Sequence, residues 1–269
     1  MQQHSAEATE AASTPIIAID GARVTIRLNR PKHLNRLQPE DLETLLKLFD
    51  RIEADPAIHV LVLTGTGRAF SAGYDLVSLA ERTGKKQEQT VGSAFEVVVD
   101  RLEDLSLPTI CRLNGGVYGG ATDLALACDF RIGVDTTEMF MPAALRGLHY
   151  YTSGIKRYVS RLGVDNAKRL FLTAEKIDAA EMLRLGLVNR IVPAAAVADE
   201  ARALARRIAG NGPLAVRGAK RIVGARMAPG FSNARQLSDA LRQALEYSHD
   251  VNEAIAADRQ QRKPRFENR

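Results

Sequence analysis

Two short apolar strands, each followed at once by a glycine-rich stretch, limit most strongly the folds open to this chain. Residues 60–63 (VLVL) run into TGTGRAFSAGYDL at 64–76, and residues 109–113 run into NGGVYGGATD at 114–123. A strand without polar alternation is typical of a sheet that is covered on both faces. Glycines after such a strand let the backbone approach a ligand closely. The pattern therefore predicts ligand-binding turns at the ends of buried strands.

Strands and helices alternate through most of the chain, which predicts an α/β protein with mainly parallel pairing. The predicted elements are a hairpin of Ile16–Asp20 and Val24–Leu28, helices from Pro39, at Gly119–Ala127, Ile155–Leu162 and Ala179–Leu185, and strands at Phe130–Val134 and Val188–Ile191. We assign residues 15–195 to this core and expect the polar residues 1–14 to form a disordered tail. Residues 196–269 have a helical pattern, which predicts either an oligomerisation segment or more of the same core.

The glycine spacing matches neither a dinucleotide-binding fingerprint nor a phosphate-binding loop. In the second stretch, Gly119 and Gly120 fall at the predicted start of a helix. Unsatisfied N–H groups and the helix dipole favour an oxyanion there. Two such turns can converge and offer a pair of donors to one carbonyl oxygen.

Composition excludes several classes of function. The 269 residues carry a net charge of +5, but the basic residues are dispersed, aromatics make up 5% and there is no Trp, which argues against nucleic-acid binding. Cys111 and Cys128 lie in apolar stretches and are predicted to be buried thiols, without a disulfide or a metal. The first residues lack the apolar core of a secretory signal and no apolar run reaches membrane-spanning length. We therefore expect a cytoplasmic protein that does not bind membranes.

Seven segments resemble, in order, the successive signatures of the crotonase (enoyl-CoA hydratase/isomerase) superfamily. They are residues 29–35 (NRPKHLN), 67–76 (GRAFSAGYDL), 114–129, 171–174 (FLTA), 179–181 (AAE), 186–189 (GLVN) and 262–266 (RKPRF). The resemblance covers roughly residues 15–269. It implies a spiral of ββα units followed by helices that build a homotrimer, often as a dimer of trimers.

The resemblance also implies the ligand, an acyl group on coenzyme A, with no metal and no further cofactor. It assigns an oxyanion hole for the thioester carbonyl to the backbone N–H groups of Tyr74 and Gly120. Five residues of two loops would contact coenzyme A: Lys32, Leu34, Ser71, Ala72 and Asp75.

Hydratases of this family place two glutamates over the hole, whereas this chain has one acid at those positions. Asp123, three residues after Gly120, matches the first and is one methylene shorter. Ala143, four residues before Gly147, stands where the second is expected. A hydration that needs two carboxylates is therefore not available here. Asp123 has a second interpretation, as a carboxylate that stabilises a helix start.

An aromatic run, LHYYTSG at residues 148–154, resembles a branch of the family that includes methylmalonyl-CoA decarboxylase-like proteins. Tyr150 matches the tyrosine of that branch and would orient a carboxylate or act as a weak acid. His149 is a candidate base, because histidine is a common general base in proteins. The alternative is that the tyrosine packs in the core and His149 is exposed. The match is partial, because that branch often has His where Tyr74 stands.

Three functions remain open at this point. The first is an acyl-CoA enzyme of the hydratase/isomerase type. Hydration of a C=C bond is the usual reaction of such a sequence, but decarboxylation or thioester hydrolysis through Asp123 and Tyr150 agrees better with an alanine at position 143. The second is a catalytically silent acyl-CoA-binding homologue. The third, nucleic-acid binding, lacks a basic stripe interleaved with aromatics.

Overall fold

The computed structural model describes residues 14–74, 91–146, 149–225 and 248–267. The strands are β1 (Ile16–Asp20), β2 (Arg23–Leu28), β3 (Val60–Gly65), β4 (Ala69–Ser71), β5 (Thr109–Leu113), β6 (Gly116–Tyr118), β7 (Phe130–Val134), β8 (Glu138–Phe140), β9 (Lys176–Asp178) and β10 (Arg190–Val192). The helices are α1 (Pro39–Ala54), α2 (Val91–Asp104), α3 (Gly120–Ala127), α4 (Thr152–Leu162), α5 (Val164–Thr173), α6 (Ala179–Arg184), α7 (Val197–Ala209), α8 (Pro213–Ala225) and α9 (His249–Arg259). No helix in these ranges is long and apolar enough to cross a membrane.

The larger sheet has six strands in the order β1-β2-β3-β5-β7-β10. β1 and β2 form the predicted antiparallel hairpin, and every other pair in this sheet is parallel. The mixed α/β architecture predicted from the sequence is confirmed. Pro39 begins α1 as expected, and the Asp41 carboxylate accepts a hydrogen bond from the Gln38 N–H at 2.8 Å.

The smaller sheet has the order β4-β6-β8-β9, and the sequence pattern predicts none of its four strands. β4 and β6 lie inside the two glycine-rich stretches, where the sequence predicts turns. They pair in parallel, with Ala69 opposite Gly116 and Ser71 opposite Val117. Backbone pairing therefore brings the two stretches side by side, because each contributes one strand to the same short ladder.

Buried side chains form two clusters on opposite faces of the larger sheet. The main cluster includes Ile26, Leu63 and both free cysteines, Cys111 and Cys128, which are buried as predicted. The second cluster lies on the other face, where α7 packs its buried side chains against β3, β5 and β7. The first helix of the segment 196–269 therefore shares a core with the rest of the chain. Its role in an oligomer stays a prediction.

Candidate active site

Gly73 brings the end of the first glycine-rich stretch against the start of α3. Its φ of +83° is in the left-handed region, where glycine is favoured. A Cβ at this position would lie 2.6 Å from the Tyr118 carbonyl oxygen and 2.8 Å from the Gly120 nitrogen. Only a residue without a side chain allows so close an approach. The segment leading to Tyr74 and the helix start at Gly120, predicted to converge, thus lie in contact.

The start of α3 is suited to an anion or a polarised carbonyl. Gly120 is the first helical residue, so its N–H has no partner within the helix. The preceding Gly119 offers no side-chain cap. The positive end of the helix dipole adds to the field at this point.

Two asparagine side chains hold the first glycine-rich stretch, and sequence reasoning gave neither of them a role. Asn35 is buried and donates from Nδ2 to the carbonyls of Thr66 at 2.8 Å and Ala69 at 2.9 Å. Asn114 donates from Nδ2 to the carbonyls of Gly67 at 2.7 Å and Ala69 at 3.0 Å. Both asparagines lie in the segments that carried the family resemblance. Asn114 directly follows β5, which was a signal, but the carbonyls that both side chains reach depend on the tertiary fold.

The residues assigned to coenzyme A form a joined pair of loops. The Ala72 N–H donates to the Leu34 carbonyl at 2.7 Å, and Leu34 has a left-handed φ of 50°. Ser71 is buried, and its hydroxyl donates to the Asn35 carbonyl at 2.7 Å and accepts from the Gly73 N–H at 3.0 Å. The Ser71 side chain therefore holds the loop and leaves ligand contact to backbone atoms.

The other two residues predicted to contact coenzyme A are Lys32 and Asp75. Lys32 is exposed in the short 3-10 helix Pro31–His33 beside Leu34. Asp75 lies outside the described residues.

Asp123 lies in the first turn of α3 and is fully buried. Its two carboxylate oxygens have different surroundings. Oδ2 accepts a very short hydrogen bond from the Tyr151 hydroxyl and a 2.6 Å bond from Arg157 Nη1. Oδ1 is buried and has no hydrogen-bond partner among the described residues. Burial raises the pKa of the Asp123 carboxyl above its usual range, while Arg157 and Tyr151 oppose that rise.

Arg157 joins Asp123 to helix α2. Its side chain is 1% exposed and also pairs with Asp100 and, through Nε at 2.9 Å, with Glu103. Burial acts to lower the pKa of the guanidinium, but attraction to Asp123 and Glu103 outweighs it and raises the pKa overall. The arginine therefore stays charged and is fixed by carboxylates on two helices.

The phenol that reaches Asp123 belongs to Tyr151, and the sequence had singled out its neighbour. The rings of Tyr150 and Tyr151 stack with centroids 4.4 Å apart, and their hydroxyls are 3.5 Å apart. His149, the other candidate in this run, is exposed. Ala143 is buried in the main core, and Tyr150 is partly buried against it.

Aromatic rings connect the helix start to the acidic group. Phe95 of α2 lies over Gly120, where a Cβ would meet its ring at 2.9 Å. Its ring centroid is 6.0 Å from that of Tyr74 and 6.2 Å from that of Tyr151. The backbone donors and Asp123 are therefore parts of one continuous, largely apolar site.

The chain matches the family model described as Enoyl-CoA hydratase/isomerase over residues 19–269. It is 31% identical over 243 residues to the crotonyl-CoA hydratase of Syntrophomonas wolfei, covering 89% of this chain and 92% of that protein. It is 35% identical over 203 residues to the carnitinyl-CoA dehydratase of Proteus mirabilis, covering 75% and 77%. The crystal structure of an enoyl-CoA hydratase from Bacillus anthracis is similar with a TM-score of 0.88 at 30% identity, covering 95% of this chain and 100% of that one.

Proposed function

The chain belongs to the enoyl-CoA hydratase/isomerase family, and on that premise we propose that it binds an acyl thioester of coenzyme A and stabilises its enolate. The N–H groups of Tyr74 and Gly120 hold the thioester oxygen. Coenzyme A enters as part of the substrate, so no further cofactor is required.

One observation carries this proposal, the contact between Gly73 and the start of α3. It sets the segment of Tyr74 beside a helix N-terminus whose first N–H has no partner within the helix. Two aligned N–H donors stabilise the negative charge that develops on a thioester oxygen, and one such donor contributes about 3–4 kcal/mol. That stabilisation serves any reaction that passes through an enolate.

The coenzyme A portion is proposed to follow the joined loops of Leu34 and Ala72. The Ala72 N–H donates to the Leu34 carbonyl at 2.7 Å, which holds the two loops together. Lys32 is exposed beside it and would meet the phosphates, and Ser71 supports the loop from below. Asp75 is proposed for the same loop on the family pattern.

Asp123 is the proposed acid/base, and the proposed reaction is the reversible addition of water to an enoyl thioester. A single carboxylate can serve both steps if it takes a proton from the water that attacks the β-carbon and returns one to the α-carbon of the enolate. The relatives described as a crotonyl-CoA hydratase and a carnitinyl-CoA dehydratase support this lyase chemistry.

Decarboxylation is the second candidate, favoured by the buried apolar Ala143 at the position of the second acid. Loss of carbon dioxide leaves its bonding electron pair on the thioester as an enolate, which then takes one proton at the α-carbon. No second carboxylate is needed. Thioester hydrolysis, which also needs one base, is the third outcome to be tested.

Mass analysis of a panel of enoyl-, malonyl- and ring-acyl-CoA thioesters tests these functions together. Gain of water supports hydration, loss of carbon dioxide supports decarboxylation, and free coenzyme A supports hydrolysis. Asp123→Asn should lower each turnover by about 100-fold or more. Binding without any product would indicate a silent acyl-CoA-binding homologue, and absence of binding would contradict the proposal.

We further propose a homotrimer, or a dimer of trimers, that acts in the cytoplasm without nucleic-acid partners. The family resemblance supports the assembly, and α7 contributes to the core of its own chain as well. Sedimentation equilibrium of the full chain distinguishes a monomer from the two assemblies.

A further inference from the structure

The carboxylate of Asp123 is bound asymmetrically. The Tyr151 hydroxyl and Arg157 Nη1 both donate to Oδ2, whereas Oδ1 accepts no hydrogen bond from the described residues, although it is buried. An unpartnered buried oxygen is unfavourable unless another group reaches it. Oδ1 belongs to a residue in the first turn of the helix that begins at Gly120, three residues before Asp123.

The Tyr151 ring is held in a fixed orientation. It stacks on Tyr150 and meets the edge of Phe95 at an interplanar angle of 72°. Because Phe95 also covers Gly120, the packing that orients the Tyr151 hydroxyl is continuous with the proposed oxyanion hole. Among the described residues the Tyr150 hydroxyl has its hydrogen-bond contact with the Tyr151 hydroxyl, at 3.5 Å, rather than with the carboxylate.

Arg157, the second donor to Oδ2, is also held in a fixed orientation. Its Nε and Nη2 pair with Glu103 and Asp100 of α2, so Nη1 alone is left to point at Asp123. A guanidinium held by three carboxylates has little freedom to follow a moving partner. The Asp123 side chain is therefore restrained at Oδ2 by two donors that are themselves anchored.

We propose that Tyr151 is a positioning residue which, with Arg157, holds Oδ2 of Asp123 and leaves Oδ1 as the oxygen that exchanges a proton with the acyl group. In the hydration direction Oδ1 takes a proton from the attacking water, the water oxygen forms the bond to the β-carbon, and the C=C electron pair moves into the thioester as an enolate. Oδ1 then returns the proton to the α-carbon. The inference rests on the proposed function, and it names the residue through which that function is tuned.

The arrangement predicts how pH affects the site. The Tyr151 hydroxyl stabilises the ionised carboxylate, so removing it must raise the pKa of Asp123 further. The other charged or titratable groups that face Asp123 are unchanged by this substitution: Arg157 and Tyr158 of α4, Asp100 and Glu103 of α2, and Tyr150. The acid limb of the pH–kcat profile, where kcat falls as Asp123 is protonated, should then move to higher pH.

Tyr151→Phe and Tyr150→Phe form a matched pair, because each removes one hydroxyl from two stacked neighbours. With the thioester that the wild type turns over, Tyr151→Phe should lower kcat by roughly 10- to 100-fold, leave KM within about twofold and shift the acid limb upward. Tyr150→Phe should leave the acid limb at the wild-type pH, because the Tyr150 hydroxyl contacts Tyr151 and not the Asp123 carboxylate. The inference is overturned if the two variants behave alike, or if Tyr150→Phe alone moves the limb.

A carbon-13 NMR titration of the Asp123 carboxyl in the unliganded protein provides a readout without turnover. Tyr151→Phe should raise the midpoint, and Arg157→Lys, which keeps the charge, provides a second variant with the same direction if Tyr151→Phe does not fold. Equal midpoints in the wild type and both variants would overturn the inference. Failure of the wild type to turn over any thioester would instead overturn the proposed function.

Discussion

The backbone around Gly73 and Gly120 and the side chains around Asp123 adjoin each other, yet they are held in place in different ways. We call the first, with its supporting Asn35 and Asn114, the backbone half. Its contacts are hydrogen bonds between uncharged amides and carbonyls, and its closest approach is possible because glycine has no side chain. Such a structure presents the same donors to any thioester.

The side-chain half consists of Asp123 and the two residues that donate to it, Tyr151 and Arg157. It is held by a buried ion pair and stacked rings, and its charges depend on pH. Under the proposed function, the backbone half determines the class of substrate and the side-chain half selects the reaction. Damage to the first should therefore reduce turnover at every pH, whereas damage to the second should change stability and pH dependence.

Arg157→Leu should have the largest effect, because it removes the cation from a fully buried carboxylate. Breaking a buried pair in this way costs about 3–5 kcal/mol in the free energy of unfolding. Arg161→Leu is the matched control, since Arg161 is exposed and pairs with Glu103 at 3.4 Å, and it should cost less than about 1 kcal/mol. Urea unfolding measures both.

The pH dependence of that loss distinguishes a charge effect from a packing effect. Without Arg157 the pKa of Asp123 lies further above its unfolded value, so protonation favours the folded state. The deficit of Arg157→Leu should be smallest in acid, below the unfolded pKa, and grow as the pH rises through the raised folded pKa. A deficit that is independent of pH would show that the side-chain half is held by packing alone.

Gly73→Ala should damage the backbone half without altering its charges. The added methyl group would meet Tyr118 O and Gly120 N at 2.6 and 2.8 Å, so the donor geometry must shift. We expect kcat to fall by about 100-fold, the loss typical of a missing oxyanion donor. Gly186→Ala is the control, since Gly186 has a similar φ of +76° and nothing lies within 4 Å. Equal losses in both variants would attribute the effect to backbone strain.

Asn35→Ala should have a moderate effect on stability. It removes the buried donor to the Thr66 carbonyl and one of the two asparagine donors to the Ala69 carbonyl, and it should cost about 1–3 kcal/mol. Asn166→Ala loses one bond to the Leu162 carbonyl and should cost about 1 kcal/mol or less. Thermal unfolding compares the two, and a smaller loss for Asn35→Ala would mean that the strand pairing alone holds the loop.

Lys32→Ala should have the smallest effect, confined to KM. An exposed ion pair with a coenzyme A phosphate contributes up to about 1 kcal/mol, which corresponds to about a fivefold rise in KM that added salt removes. Lys47 is an exposed lysine on α1, and Lys47→Ala, the matched control, should leave KM unchanged. A salt-independent rise would place the phosphates elsewhere.

The backbone half could be predicted largely from sequence, and the side-chain half could not. Glycine-rich stretches after apolar strands indicated that the two stretches converge, because strand ends and helix starts have fixed local geometry. The assignment of the donors to Tyr74 and Gly120 came from the family resemblance and stays a prediction. The pairing of β4 with β6 was missed, since three-residue strands have no periodic signal. The contact of Asp123 with Tyr151 and Arg157 was missed as well, because residues 28 and 34 positions apart meet only through the packing of α3 against α4.

The carbonyl of a bound thioester reports the central claim most directly. Butyryl-CoA has no double bond to hydrate, and carbon-13 at its thioester carbonyl can be followed by NMR in the free and bound states. Two N–H donors from Tyr74 and Gly120 should polarise the bond and move the bound resonance downfield, and Gly73→Ala should reverse most of that shift. A bound carbonyl that resonates where the free one does would contradict the oxyanion hole.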